Sequence, residues 1–196
     1  MVHNKKSEEV KNPFEKIQLK GVKNIIAIAS GKGGVGKSTV AANLAAAMVR
    51  QGFNTAIVDA DLFGPSIPRM FGIEDAIPEI AAFGDKEIIF PIVKYGVKII
   101  SIGFFINRNQ SVIWRGPMAS KALTQLIEQT DWGEIDYMFI DTPPGTSDIQ
   151  LTTAQKLNLK GAIIVTTPQE ISLNDARKAA SMFRNPDLNV PIIGII

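Results

Sequence analysis

Residues 31–39 read Gly-Lys-Gly-Gly-Val-Gly-Lys-Ser-Thr, and they fit the frame G-x-x-x-x-G-K-[ST], in which successive backbone N–H groups turn toward one point and cradle phosphates. In that frame Gly31, Gly33, Gly34, Val35, Gly36 and Thr39 supply the loop. Lys37 offers a point charge to the outer phosphates and is expected to meet only the ligand, and the Ser38 hydroxyl suits Mg²⁺. The chemistry is nucleotide binding. Lys32 is one lysine more than that chemistry needs. Its charge adds to that of Lys37 and becomes favourable only when a polyphosphate neutralises both, so an outward-pointing Lys32 is placed either to reach a second nucleotide across a two-fold interface or, as a solvated charge, to steer ATP toward the loop. Two apolar segments end in carboxylates, Ala56-Ile57-Val58-Asp59-Ala60-Asp61 and Tyr137-Met138-Phe139-Ile140-Asp141. At a sheet edge they are acceptors for metal-bound waters. Asp141 suits the outer Mg²⁺ shell because it opens the stiff turn TPPGTSD, and Asp61 suits orientation of an attacking water. For Asp59 a purely structural role, capping the next helix, stays open.

These residues need a scaffold that delivers them to one edge. Ile25 to Ala29 is an unbroken apolar run, as expected for a strand buried on both faces of a parallel sheet. The glycine loop follows directly, then Ser38 to Arg50 without internal Gly or Pro, with Gly52 as a stop. Strand, loop, helix is the context that makes the motif credible. Further strands are expected at 56–58, 97–102, 137–140, 162–165 and 192–196, and helices at 118–129, 149–157 and 173–183, the last opened by Ser172 with Asp175 three residues on. Such alternation predicts an α/β fold, a doubly wound, mostly parallel sheet of the P-loop NTPase kind. Loops are expected to dominate from Phe63 to Asn109, where Pro and Gly recur.

At 196 residues and 45% hydrophobic content the chain has the size of one α/β domain. Residues 1–22 read as a flexible polar tail and 23–196 as the P-loop domain, truncated at its C-terminal end because it stops on an apolar, strand-like PIIGII. The absence of cysteine excludes disulfides and thiolate metal sites, and the single histidine, His3, lies in the polar tail. The net charge of +2 arises from that end: residues 1–24 hold six lysines against three glutamates, which leaves the remainder at about −1. A nucleic-acid-binding face is not supported. With no long apolar run and no secretory leader, no membrane association is expected and the cytoplasm is the expected location.

GKGGVGKST with Lys32, then DADLFGPSIPRMFG, WRGPM, DTPPGTSDIQLT and TTPQEISLNDARKA, resemble the Mrp/ApbC branch of the deviant Walker A ATPases, relatives of MinD, ParA and the nitrogenase iron protein. The resemblance runs from about Lys23 to Ile196. It implies a dimeric, Mg²⁺-dependent ATPase with slow turnover that carries iron-sulfur clusters and meets scaffold or acceptor apoproteins. Lys32 would be the signature lysine reaching the partner's nucleotide, Lys37 the phosphate lysine, Ser38 the Mg²⁺ ligand and Asp61 the residue near the hydrolytic water. Asp141 and Gly145 would belong to switch II. The family's bridging cluster is held by a C-x-x-C that this sequence does not contain, so the cluster is implied by kinship and not by residues present.

Two other readings compete: a positioning ATPase of the MinD or ParA kind, which calls for an amphipathic helix or a basic face, and a nucleotide-dependent interaction switch without useful turnover. Trp114-Arg115-Gly116-Pro117-Met118 fits either a packed helix start or a functional surface. Phe104-Phe105-Ile106 is expected to be buried rather than a docking patch.

Overall fold

The computed structural model describes residues 16–62, 64–84, 86–105 and 116–196. Its centre is a seven-stranded sheet in the order β5-β6-β2-β7-β1-β8-β9, built from β1 (Val22–Ala29), β2 (Thr55–Asp59), β5 (Ile92–Lys94), β6 (Val97–Ser101), β7 (Ile135–Asp141), β8 (Leu159–Ile164) and β9 (Ile192–Ile195). Every pairing is parallel except β5 with β6. The expected fold class is therefore the observed one. The unbroken apolar runs have a direct cause: alternate residues of β1 enter opposite cores. Ala27 and Ala29 face one core together with Leu123, Ala154, Ala179 and Phe183, while Ile26 and Ile28 face the other with Ala41, Ala45, Ile67 and Phe71.

Helices α1 (Lys37–Arg50) and α2 (Ile67–Met70) thus cover one face, and α3 (Gly116–Gln129), α4 (Asp148–Lys156) and α5 (Glu170–Arg184) the other. The stretch 63–109 holds short elements among its loops: besides the expected β6 it contains α2, β5 and a separate antiparallel pair of β3 (Ile80–Phe83) with β4 (Lys86–Ile89). Most of its Pro and Gly residues sit between these short elements, and Pro68 stands in the first turn of α2, where a missing N–H costs nothing. Helix α5 starts earlier than expected, with Gln169 at its N-cap, and Ser172 is buried within it, its hydroxyl accepting from the Thr167 hydroxyl at 3.0 Å. That inward bond removes Ser172 from the capping role. Packing also begins ahead of residue 23: the Ile17 N–H donates to the Lys156 carbonyl at 2.7 Å, and Ile17 and Leu19 rest on the core.

The Trp114-Arg115 part of WRGPM, His3 and Ile106 lie outside the described residues. Phe104 is half-buried against the α1 side of the sheet, whereas Phe105 is exposed, so the expectation of burial holds for the first of these alone. No helix among the described residues is long and apolar enough to cross a membrane.

The glycine loop leaves β1 pressed against α5. A Cβ on Gly31 would stand 2.1 Å from the Asp175 carbonyl carbon and oxygen, and because these are backbone atoms no rotamer change relieves the contact. Glycine is required there by close approach rather than by its own turn geometry. Gly31→Ala is expected to lower unfolding stability by about 1–3 kcal/mol through this overpacking; urea denaturation measures it, and an unchanged midpoint would contradict the contact.

Candidate functional site

Where β1 ends, the chain turns through left-handed conformations at Gly34 (φ 80°) and Gly36 (φ 94°), and Gly36 is the N-cap of α1. No side chain caps that helix and its first turn holds no acidic residue. Its leading N–H groups, with the positive end of the helix dipole, form an anion site by construction. The loop encloses a cavity of about 320 Å³ lined by Ser30, Gly33, Gly34, Gly36, Lys37, Ser38, Thr39, Asp61, Ser66, Met70 and Pro144. The sequence-selected loop residues and Asp61 therefore converge on one cavity. Val35 is half-buried against the α1 core, and Gly31 is used against α5.

Strand order explains the convergence of the acids. β7 lies between β2 and β1, and Asp59 is the in-register neighbour of Asp141. The Lys37 ammonium donates to Asp141 Oδ1 at 2.5 Å and reaches the Ser38 hydroxyl at 3.4 Å. Both charged groups are withdrawn from solvent, Lys37 at 7% exposure and Asp141 at 0%. Lys37 is therefore not reserved for a ligand, as expected from sequence, but is the partner of a buried carboxylate. The physical reason is desolvation: an ammonium and a carboxylate taken out of water this completely need each other. Lys32 sits differently. It is exposed on the outer side of the loop, its backbone carbonyl accepting from the Ser30 hydroxyl at 2.9 Å.

Asp59 is fully buried and spends its carboxylate on backbone and neighbours. Oδ1 accepts from the Asp61 N–H at 3.2 Å, and Oδ2 from the Ile67 N–H at 3.1 Å and the Ser101 hydroxyl at 3.1 Å. It caps α2 from a distance, the structural alternative left open above. Asp61 itself faces the cavity, its Oδ1 accepting from the Gly64 N–H at 3.2 Å. On the other wall, the Gly145 N–H (φ 82°) donates to the Ser30 carbonyl at 2.9 Å, which ties the TPPG turn to the start of the loop.

Burial pushes the Asp59 carboxyl up to about 7, and the neighbouring Asp141 charge pushes the same way, while the Ile67, Asp61 and Ser101 donors only partly oppose them. Burial also raises Asp141, with Lys37 and then Ser38 pulling the other way and Asp61 adding to the rise. One Asp141 oxygen, Oδ2, is buried with no hydrogen-bond partner. An orphaned carboxylate oxygen beside the Ser38 hydroxyl is the hard-oxygen donor set that Mg²⁺ takes, so the residues present fit that ion. Ser30, Ser66, Met70 and Pro144 were not singled out in the sequence. Of these only Pro144 had a signal, its place in the turn that Asp141 opens.

Residues 21–196 match a family model described as a NUBPL iron-transfer P-loop NTPase, of the ParA group. The chain belongs to that family. Among the iron-transfer P-loop NTPases and their kin it is 49% identical over 184 residues to an iron-sulfur cluster carrier protein of Aquifex aeolicus strain VF5, covering 93% of this chain and 49% of that one. It thus spans about half the length of such a curated relative. Among solved structures it is similar to a nucleotide-binding protein from Archaeoglobus fulgidus in complex with ADP (37% identity, TM-score 0.74, 89% of this chain and 66% of that one). It is also similar to the septum site-determining protein MinD from Pyrococcus horikoshii complexed with Mg-ADP (26% identity, TM-score 0.61, covering 88% and 68%). Membership of this family bears out the Mrp/ApbC resemblance read from the sequence.

The raised Asp59 carboxyl has a consequence for stability. A group that binds its proton more tightly folded than unfolded stabilises most below its ordinary value of 3.8, and that contribution is lost as pH rises through about 7. Asp59→Asn is therefore expected to flatten the decline in unfolding stability between pH 3.8 and about pH 7, the two values that bound the loss. Urea midpoints for both proteins at the two ends of the window measure this; parallel declines would show that Asp59 is not the titrating group.

Proposed function

We propose that this chain is the Mg-ATP-binding and slowly ATP-hydrolysing part of a dimeric, cytoplasmic iron-sulfur cluster carrier. The observation that carries the nucleotide half of this reading is the buried Lys37–Asp141 pair beneath an uncapped helix N-terminus. In the ligand-free protein the phosphate lysine is neutralised by the metal-side aspartate, and a triphosphate offers both groups a better partner: phosphate oxygens for Lys37, hydrated Mg²⁺ for Asp141. The loop N–H groups hold the phosphates, and Thr39 extends that wall by its place in the first turn of α1. Bound Mg²⁺ would be held by Ser38 and Asp141 and supply charge neutralisation at the terminal phosphates. Asp61, facing the same cavity, orients the water that attacks them, and Gly145 carries the movement of the TPPG turn.

The cluster half of the reading rests on kinship with carrier proteins. With no cysteine in the sequence, these residues offer no thiolate to iron, and the cluster is cargo for parts of the assembly other than these. Partners are then a second copy of the chain and the scaffold or acceptor apoproteins that give and take the cluster. Lys32 serves the dimer. Because the loop already surrounds its own phosphates, an exposed lysine on its outer side is placed to touch the nucleotide of the second copy.

Lys37→Ala is expected to remove the measurable heat of Mg-ATP binding and, because it strands a buried carboxylate, to lower ligand-free stability by about 3 kcal/mol. Near-normal affinity by calorimetry would reject the assignment. Lys32→Ala is expected to keep Mg-ATP affinity within about tenfold, near 1.4 kcal/mol, yet to lose ATP-dependent dimerisation and hydrolysis together. Sedimentation of both proteins with a non-hydrolysable ATP analogue decides this, since equal dimerisation, or a wild type that stays monomeric, removes the cross-dimer role.

A further inference from the structure

One wall of the phosphate cavity is made by Asp61, Ser66 and Met70, residues on a stretch that leaves β2 and ends in the single-turn helix α2. The Ala60 N–H donates to the Asp141 carbonyl and Ile67 packs into the core, and two further N–H groups of the stretch are held by one buried carboxylate. Asp59 receives the N–H of Asp61 on one oxygen and the N–H of Ile67 on the other. A carboxylate on a strand end keeps two rotatable bonds, so something must fix its plane for both bonds to form. The Ser101 hydroxyl does so: it donates to Asp59 Oδ2 at 3.1 Å from the end of the adjacent strand β6, and the two residues are in register across the pair. Ser101 is fully buried and its oxygen is held in turn, accepting the Gly103 N–H at 3.0 Å as the cap of the turn that follows β6.

A second, independent contact closes the circuit. A Cβ on Gly103 would lie 2.9 Å from Pro65 Cβ and 3.1 Å from the Ser101 hydroxyl, so this corner packs directly against the wall it helps to hold. Ser101 and Gly103 thus grip the wall at two points, through Asp59 and through Pro65. We propose that Ser101 is a positioning residue for the nucleotide site, fixing Asp59 so that Asp61 and Ser66 keep their places facing the phosphates. No part of this corner touches the cavity itself. The inference deepens the hydrolytic reading above and rests on it for its effect on turnover, but its structural content can be tested without turnover.

Ser101→Ala is expected to speed hydrogen exchange at the Asp61, Gly64 and Ile67 amides by about tenfold while the amides of β1 and β7 keep their protection. Mg-ATP affinity is expected to stay within about threefold, because the loop and Lys37 are untouched, and kcat to fall about tenfold. Gly103→Ala reaches the same wall from Pro65 and is expected to act in the same direction should the serine variant fold poorly. Unchanged exchange at the three amides in both variants, or equal loosening of β1 and β7, overturns the role of Ser101. A wild-type chain that binds Mg-ATP but never turns it over rejects the hydrolytic reading and leaves the exchange result to decide the positioning role by itself.

Discussion

Two carboxylates and one ammonium share a space from which water is excluded, and the architecture around them follows from that constraint. Asp59 and Asp141 stand side by side on neighbouring strands, both fully buried, and like charges at that range in a poor dielectric are not tolerated without compensation. Lys37 supplies it for Asp141. Among the described residues no cation pairs with Asp59, which is compensated by three donors and by holding its proton more tightly. The result is a cluster of buried charge whose compensation is internal to the protein.

This division of labour also separates residues that look alike. Three aspartates lie within reach of the same edge, but one anchors a helix, one pairs with a lysine and one faces the cavity. Strand order does the sorting: placing β7 between β1 and β2 sets Asp141 between the loop lysine and Asp59, and the chain continues two residues past Asp59 before it reaches the open side. The TPPG turn is tied to β1 by the Thr142 N–H and hydroxyl, which both donate to the Ile28 carbonyl, and to the loop by the Gly145 N–H on the Ser30 carbonyl.

Much of this was legible in the sequence because it is local. The strand, loop and helix around 25–50 are encoded by an apolar run, by spaced glycines and by a Gly/Pro-free stretch; the helix starts one residue before its expected bound and the strand three, at Val22. The strand-end aspartates could be located for the same reason. What could not be seen depends on pairing across the sheet. Ser101 lies 42 residues from Asp59, and nothing near it marks its hydroxyl as more than a strand-end polar group. The Lys37–Asp141 bond spans 104 positions, and a motif that assigns the lysine to phosphate gives no hint of a carboxylate partner. The β3–β4 pair was hidden because its strands are four residues each, too short for an alternation to stand out among turns.

Gly31 is wedged against the backbone of α5, whereas additional atoms at Gly34 or Gly36 would meet nothing within 4 Å. The loop is therefore a cantilever, clamped where it leaves the sheet and free along its span until it is gathered again into α1. A load applied at the tip, such as the approach of a bulky anion, bends the span but cannot slide the root. The footing of the loop is therefore set by α5, a helix that contributes no residue to the cavity.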